Sequence, residues 1–473
     1  MRSPRHGIAW SAGAVVTAAT TALLAGCATR SSAPPAVPTE AASTVATRSL
    51  DNEGLRDFLR RNLGREPSGW DFETLCWVAF HYHPSLALAR ARWAAAEAEY
   101  VTAAARPNPV VGLVPGFSTN APAGTSPWFP AINLDFLLET GDKRARRSEA
   151  GRQRAEAARL EVMAAAWQVR AELRSALIDW RAAEKHATLA ARAVQIQQQL
   201  ASLLQQRLDL GAITGPEAAA ARQAVLRAEA VAADTRGQVG PARNRVAAAL
   251  GVPLSALDGI GLGEVPSAPD LADDALAQAR RLALQNRSDV LASLAAYAAA
   301  VADLRLAVAG RHPDVHLDPG FQWDQGQDKW SVGLSFEVPV FNHHEGPIAL
   351  AEARAQEAAA QVTATQAKAI AAIDGAVAAH AAAVERERQL SVLHASAERL
   401  RQLAEDRLRV GAADQAEVLD ARLTLLADEV DLAEAAAATA RTAGQIEDAL
   451  EVPFPHLDSL LAQPAPATPP HSP

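Results

Sequence analysis

The stretch Val332-Gly333-Leu334-Ser335-Phe336-Glu337-Val338 places an apolar side chain at every second position. A period of two is typical of a β-strand with one apolar and one polar face. Three further segments alternate in the same way. The four segments are 109–118, 129–139, 314–324 and 330–340. They predict four strands of about ten residues, the length that crosses a lipid bilayer.

Four strands are too few to close a membrane-spanning barrel. A sheet in lipid must leave no unpaired edge, and single-chain barrels begin at about eight strands. Several copies of the chain would therefore have to pool their strands, and three copies of four would give twelve. A soluble sheet with one buried face shows the same alternation, so the strands alone leave that alternative open.

Long stretches with few prolines and few glycines predict helices between the strands. They lie at roughly 53–105, 142–208, 214–250, 270–310, 345–408 and 414–450. Two of them have about 65 residues, which at 1.5 Å per residue span on the order of 100 Å. Ile196, Leu200, Leu203 and Leu208 form an apolar seam for a partner helix. A coiled-coil rod would show the same helical pattern, but the four strands argue against it.

An internal repeat divides the chain into two halves. Arg207-Leu208-Asp209-Leu210-Gly211-Ala212 returns as Arg407-Leu408-Arg409-Val410-Gly411-Ala412, a shift of 407 − 207 = 200 positions. Ala249-Leu250-Gly251-Val252-Pro253 returns as Ala449-Leu450-Glu451-Val452-Pro453 at the same shift. We therefore predict two repeats of one architecture, at 51–262 and 263–461.

The N-terminal residues have the features of a bacterial export signal. A short basic region precedes an apolar run from Ile8 to Leu24, which ends in Leu24-Ala25-Gly26-Cys27. This arrangement is typical of lipoprotein signals, so we predict that 1–26 is removed and that Cys27 carries lipid such as palmitate. Ala28 implies onward sorting to the outer membrane. An ordinary cleaved signal with a chance cysteine is the alternative.

Two terminal segments lack the apolar residues needed to fold alone. Segment 27–50 is rich in Ser, Ala, Thr and Pro, and 462–473 is rich in Pro. The first is predicted to be a flexible tether and the second a disordered tail. If Cys27 is acylated, Cys76 has no intramolecular disulfide partner, and its apolar neighbours favour a small buried side chain.

The charge balance excludes several classes of function. The net charge is −9 and 21% of the residues are charged. No basic surface for nucleic acid is expected. The chain also has no phosphate loop, nucleophile elbow or zinc-protease helix, which argues against an enzyme and against a cofactor.

Short turns beside the predicted strands resemble those of a known family. Glu139-Thr140-Gly141-Asp142-Lys143-Arg144 and Pro339–Ile348 follow the second strand of each half, while Arg106-Pro107-Asn108-Pro109 and Arg311-His312-Pro313-Asp314 lead into the first. Together with the strands and the repeat, they resemble the TolC-like outer-membrane efflux family, from about Leu55 to about Leu461. The Pro339–Ile348 turn is especially similar to the cobalt–zinc–cadmium resistance lipoprotein branch.

The resemblance implies a mainly α fold with a transmembrane β-barrel. Each two-repeat protomer would supply long α-hairpins and four strands, and a homotrimer would form a 12-stranded barrel above a 12-helix periplasmic tube. It also implies a passive conduit that docks onto a periplasmic adaptor (membrane fusion) protein and an inner-membrane RND-type pump.

The cargo implied by the resembling branch is heavy-metal cations. His343-His344 and Asp142 depart from the family's usual turns, and Asp142 stands where glycine is common. A multidrug or organic-solute channel of the same fold is therefore an alternative. A periplasmic coiled-coil scaffold lipoprotein and an envelope hydrolase are more distant rivals, and the hydrolase would need a compact pocket that two extended repeats do not offer.

The predicted helix ends contain the candidates for an entrance. The glycines permit the turn that reverses each long helix, and by resemblance the tips contact the adaptor. These tip residues are Leu210, Gly211, Ala212, Val410, Gly411 and Ala412. Glu417 and Asp420 lie three apart on one helical face, where the family has acids that ring the closed entrance. A solvated acidic face is the alternative, and the first half offers only Glu217.

The polar strand faces contain candidates for a channel lumen. Rings of carboxylates would favour cations, although ordinary solubilising polarity explains them nearly as well. These acids are Asp135, Glu139, Asp318, Asp324 and Glu337. His343 and His344 are weak metal candidates, and His81 and His83 weaker still, because none has ligand spacing with a third ligand in view.

Overall fold

The computed structural model describes residues 38–67, 69–263, 265 and 273–452. The predictions for the signal 1–26, for Cys27 and for the tail 462–473 lie outside these residues. The chain divides into two units, of which the first ends at Arg48 and contains helix α1, Pro38–Ala46. The second begins at Ser49, and its core already includes Leu50. The packed part therefore begins inside the predicted tether, because Leu50 is an apolar side chain that buries against the core.

The second unit consists of helices and four strands. In chain order they are α2 (Glu53–Leu63), α3 (Phe72–Tyr82), α4 (Pro84–Ala104), β1 (Val110–Phe117), β2 (Trp128–Leu138), α5 (Lys143–Asp209), α6 (Gly215–Leu250), α7 (Asp273–Asn286), α8 (Ser288–Ala309), β3 (Val315–Asp324), β4 (Gln327–Phe336), α9 (Glu345–Arg409) and α10 (Gln415–Leu450). The predicted mainly α fold with four strands is confirmed.

Two predicted helices are interrupted in the structure. The segment 53–105 forms three helices, because Gly64 caps α2 in a left-handed conformation and Pro84 opens α4 after the extended residue His83. The segment 270–310 forms two helices, because the backbone of Arg287, with φ −59° and ψ 132°, is not helical between α7 and α8. Its guanidinium group there donates to Asp289 and to the carbonyl oxygen of Ala449.

The four strands form one antiparallel sheet in the order β1-β2-β3-β4. Their register places Phe117 opposite Trp128, Phe136 opposite Leu317, and Trp330 opposite Phe321. Since side chains alternate between the faces, these residues share one face. That face is apolar along all four strands. Its side chains are largely exposed on β1, β2 and β4, as the 80% exposure of Trp330 illustrates, and half-buried on β3. The sheet thus presents a large apolar surface of the kind that contacts lipid or a partner.

Glycines on the opposite face let side chains of the neighbouring strand lie over the backbone. A Cβ atom at Gly112 would lie 2.1 Å from the Asn133 side chain, and one at Gly116 would lie 2.0 Å from the Phe129 ring. Glycine in a strand often marks such a close approach or a bend. This face is therefore more crowded than the apolar face.

Each repeat contains one long helix that packs against two shorter helices. Helix α5 contacts α4 and α6 of its own repeat, and also α8 and α10 of the second repeat. Helix α9 contacts α8 and α10 in the corresponding way. The main core lies where α2 and α3 pack against α5 and α6, around Leu55, Leu75, Leu173 and Leu250.

The two strand-to-helix turns share an unusual backbone conformation. Asp142 has φ 59° before α5, and His344 has φ 63° before α9. A residue with a Cβ atom in this left-handed region is strained by about 1 kcal/mol or more, whereas glycine is not.

We expect the variant Asp142→Gly to be more stable than Asp142→Ala by about 1 kcal/mol. Both substitutions remove the same carboxylate, so the comparison isolates the backbone conformation. The denaturant midpoints of the two variants measure the difference. Equal midpoints would show that the turn relaxes away from the left-handed conformation.

Candidate functional site

The two long hairpins end in turns of the same geometry. At the first tip Gly211 has φ 71°, and the N–H of Ala212 donates to the carbonyl oxygen of Arg207 at 2.8 Å. At the second tip Gly411 has φ 75°, and Ala412 donates to Arg407 at 2.8 Å. The residues before the glycines, Leu210 and Val410, are 84% and 78% exposed. Each tip therefore offers an apolar side chain to solvent or to a partner.

An ion pair joins the two tips within the protomer. Arg207, near the end of α5, lies 3.0 Å from the carboxylate of Asp414, which is the N-cap of α10. The Asp414 carboxylate also accepts from the N–H of Glu417 at 3.0 Å. The backbone N–H of Glu417 and the Arg207 guanidinium lower the pKa of Asp414, although burial opposes them. Sequence reasoning missed this link because its partners are 207 residues apart, 414 − 207.

The predicted gate residue Glu417 has different partners from its equivalent in the first repeat. Glu417 pairs with Arg407 across its own turn. Its equivalent Glu217 instead accepts from the N–H of Thr214 at 2.8 Å, in a capping box. Asp414 caps α10 in the second repeat, so the Glu417 carboxylate is not needed for capping and is available to pair with Arg407.

The second predicted gate residue, Asp420, lies on the same side of the tip as Asp414 and Glu417. All three line a shallow open depression there. Partial burial, and next the negative charge of Asp414, raise the pKa of Asp420. A raised carboxyl pKa means that the fold disfavours the charged form, so this group contributes stability at low pH that is lost as pH rises through its folded pKa.

The raised pKa of Asp420 gives the predicted entrance an expected pH dependence. As pH falls, Asp420 should take up a proton before an ordinary exposed aspartate, so cation selectivity should start to decrease at a pH above the usual aspartate range. The reversal potential of the reconstituted protein in a salt gradient, recorded against pH, measures this. The variant Asp420→Asn should lack this early step, and an unchanged titration in that variant would assign the step to another group.

Three of the five predicted lumen acids lie close to a basic side chain, which is an arginine or a lysine for two of them and a histidine for the third. Asp135 lies 2.9 Å from His316, Glu139 lies 2.6 Å from Arg147, and Asp324 lies 2.7 Å from Lys329. Asp318 and Glu337 complete the set. Glu139 and Glu337 lie one residue beyond β2 and β4, because these strands end earlier than predicted, at Leu138 and Phe336.

A cluster of polar contacts joins the two repeats where β2 ends and β3 begins. The Lys143 ammonium group lies 2.8 Å from Asp314, and the N–H of Thr140 donates to the same carboxylate at 2.9 Å. Burial opposes ionisation of Asp314, but these two donors lower its pKa. Arg147 also donates to the carbonyl oxygen of Ala103 at 3.0 Å. The end of β2 is thereby fixed against the start of β3.

A buried network of charges, which sequence reasoning did not find, joins α5 to α10. Arg174 and Glu447 have side chains only 4% and 6% exposed, and their charged groups lie 2.6 Å apart. Arg170 lies 2.6 Å from the other oxygen of Glu447, and Arg174 lies 2.8 Å from Asp448. Arg174 passes so close to Gly444 that a Cβ atom there would lie 2.6 Å from its Cδ atom. The two repeats are thus held together by a compact ionic core.

A comparison of the repeats would have indicated this network. At the shift of 200, Ala247 and Ala248 occupy the positions of Glu447 and Asp448, and Ile370 occupies the position of Arg170. Charged residues that appear in only one repeat, within alanine-rich helices, are a signal for a contact between the repeats.

The histidines and the free thiol have structural roles. His81 packs against Phe58 with ring centroids 4.9 Å apart, and His83 caps α4. His344 occupies the strained turn before α9. Among the residues that the structure describes, no group of three His, Cys, Asp or Glu side chains is arranged to hold a metal ion. Burial raises the pKa of the Cys76 thiol to about 11, so it is an unreactive core residue.

Solved structures with the same fold include outer-membrane proteins and channels. VceC from Vibrio cholerae is 23% identical, with a TM-score of 0.67, and the match covers 81% of this chain and 96% of that one. CusC, described in terms of transmembrane channel formation, is 20% identical with a TM-score of 0.67 over 82% and 95%. The MtrE outer membrane channel of Neisseria gonorrhoeae is 19% identical with a TM-score of 0.66 over 80% and 89%. At these identities the matches show the fold.

The sequence itself matches a family model over both repeats. The matched residues are 79–252 and 279–450, which together form most of the chain. A comparison with curated proteins gives no match. The family model, the two hairpins and the four-stranded sheet agree, and the chain belongs to the outer membrane efflux protein family.

Proposed function

We propose that three copies of this chain form a passive conduit that carries cargo from the periplasm, or from a pump, to the cell exterior. The observation that carries this proposal is the sheet, because its exposed face is apolar along all four strands. In the described residues its outer strands, β1 and β4, each have one neighbouring strand, so both edges are open. A sheet in lipid must close, which favours pooling of strands into a twelve-stranded barrel.

The helices support the rest of the path. Helix α5 has 67 residues and α9 has 65, so each spans on the order of 100 Å. In the proposed trimer these hairpins form a twelve-helix tube in the periplasm, with the tips at Gly211 and Gly411 farthest from the membrane. The exposed Leu210 and Val410 would contact a periplasmic adaptor, which joins the tube to an inner-membrane pump of the RND type. No step requires catalysis or a cofactor.

We propose heavy-metal cations as the cargo, with organic solutes as the alternative. The support is the Pro339–Ile348 turn and the acids on the polar face of the sheet. Two of those acids, Glu139 and Asp324, pair with an arginine or a lysine, so the net negative charge of the face is smaller than their number suggests. Conductance with divalent cations and with organic cations of similar charge would separate the two cargoes.

Acylation of Cys27 is the proposed additional anchor in the outer membrane. The barrel would itself hold the trimer in the lipid, so removal of the acyl chain should leave the protein in the outer membrane. A periplasmic scaffold lipoprotein with the same helices would instead become water-soluble when Cys27 is replaced.

The test is the mass of the purified Cys27→Ser variant in detergent, with the detergent contribution subtracted. A trimer that needs detergent to stay in solution is the expected result, because its apolar sheet face contacts lipid. A water-soluble monomer would overturn the conduit and favour the scaffold.

A further inference from the structure

The open edges of the sheet can be compared through the internal repeat. Pro115-Gly116-Phe117 in β1 returns as Pro319-Gly320-Phe321 in β3, a shift of 319 − 115 = 204. Trp128 in β2 returns as Trp330 in β4, a shift of 330 − 128 = 202. Phe117 lies directly opposite Trp128, with ring centroids 4.9 Å apart, and Phe321 lies directly opposite Trp330 at 4.8 Å. The two hairpins are therefore equivalent, with the same register.

The junction between the hairpins, β2 against β3, provides a template for the open edges. Its register places Phe136 opposite Leu317 and Ile132 opposite Phe321. In β4, Val338 and Leu334 are the equivalents of Phe136 and Ile132 at the shift of 202. In β1, Leu113 and Phe117 are the equivalents of Leu317 and Phe321 at the shift of 204. If a second copy repeats the junction, β4 of one protomer meets β1 of its partner in a defined register.

We propose that β4 of one protomer pairs with β1 of the next so that Val338 lies opposite Leu113 and Leu334 lies opposite Phe117, with residues 337–340 added to β4 in the assembly. This inference rests on the proposed pooling of strands and specifies its register. It is consistent with the faces of the sheet, since all four paired residues belong to the apolar face.

The exposed segment after β4 supports the inference independently. Strand β2 continues to Leu138, whose equivalent is Val340, yet β4 ends at Phe336. The described residues supply no neighbouring strand for Glu337–Phe341. Val338, Val340 and Phe341 are 61%, 65% and 99% exposed. Residues 337–340, whose equivalents 135–138 belong to β2, fit addition to a sheet edge.

The chemistry of the two junctions differs. Within the chain, Lys143 and Thr140 hold Asp314, and Arg147 holds Glu139. The residues equivalent to these five are Glu345, Asn342, Val110, Ala349 and Phe341. These equivalents provide no opposite charges, so the junction between copies should close mainly by backbone pairing and apolar contact. Its assembly should therefore depend little on salt concentration.

Disulfide formation between engineered cysteines tests the register. Directly opposite residues have Cα atoms about 4.5–5.5 Å apart, within disulfide range, whereas a two-residue offset gives about 7–8 Å. The test pair is V338C with L113C, and the controls are V338C with V111C and V338C with P115C. A second pair on the other face, E337C with V114C, obeys the same register and guards against an unfavourable side-chain geometry. Cys76 is buried and should not interfere.

The expected result is that both register pairs form covalent dimers and trimers on oxidation, while the offset controls and the single variant V338C stay mostly uncrosslinked. Dominant crosslinking in V111C or P115C would overturn the register while the trimer stands. Failure of every pair in a protein of trimer mass would mean that other edges meet. A monomer mass would instead overturn the proposed conduit.

Discussion

The substitution Glu447→Ala should destabilise the protein by about 3–5 kcal/mol, the usual cost of leaving a buried charge without its partner. Glu447 accepts from Arg170 and pairs with Arg174, and all three side chains lie largely out of water. In the variant Arg170 keeps the Cys76 sulfur, at 3.4 Å, and the ring of Phe72, while Arg174 keeps Asp448 and the carbonyl oxygen of Gly444. The guanidinium groups cannot release a proton to escape the cost, because arginine stays charged in proteins.

The measurement is equilibrium unfolding followed by the helical circular dichroism signal. The matched control is Glu156→Ala in α5. It removes an exposed glutamate that pairs with Arg159 of that helix. That pair is a surface pair three residues apart, so its loss should cost below about 0.5 kcal/mol. Equal effects of the two substitutions would mean that water reaches the Arg170 and Arg174 groups in the assembled protein.

The double substitution Glu417→Ala and Asp420→Ala should raise the resting conductance severalfold and lower cation selectivity. Loss of Glu417 removes the ion pair between its carboxylate and Arg407, which spans the turn before α10. Loss of Asp420 removes a carboxylate that would form a ring of three in the proposed trimer. With its tip less constrained and its charge reduced, the entrance should open more often and discriminate less between ions.

Single-channel recording in a planar bilayer measures both effects. The matched control is Glu217→Ala, at the equivalent position of the first tip, where the carboxylate caps α6 and contacts Thr214. It should weaken the start of that helix but leave conductance unchanged. Wild-type currents in the double variant would remove Glu417 and Asp420 from the gate. A third variant, Arg207→Ala, would then show whether the bridge to Asp414 restricts the entrance instead.

Residues close in sequence could be assigned to strands and helices from their pattern alone. The alternation around Leu334 and Phe336 predicted β4, and the repeat of Gly211 at Gly411 predicted the two tips, because side-chain period and turn chemistry are local properties. Helix continuity was predicted less well. Nothing in the spacing of apolar residues near Arg287 indicated a break, since that break is stabilised by the distant carbonyl oxygen of Ala449.

The candidate site, too, could be predicted from the sequence only in part. Glu417 and Asp420 could be placed on one helical face from their spacing, but their partners could not be assigned. Arg207 reaches Asp414 only because the two hairpins pack side by side, and the pKa of Asp420 is raised because the tip partly buries it close to the charge of Asp414. Asp135, Asp318 and Asp324 lie on the polar faces of the strands, whereas Glu139 and Glu337 lie one residue beyond them. The basic partners of Asp135, Glu139 and Asp324 became visible only in the folded chain.

By itself the sequence determined a two-repeat chain of long helices with four strands, apolar on one face, because periodicity and repetition are written residue by residue. Only the tertiary structure decided the order of the strands in one sheet, the register of β2 against β3, and the burial of Arg174 with Glu447. The physical reason is distance along the chain. Contacts between residues hundreds of positions apart depend on which helices pack together, and the energy of a charge pair depends on how much water that packing removes.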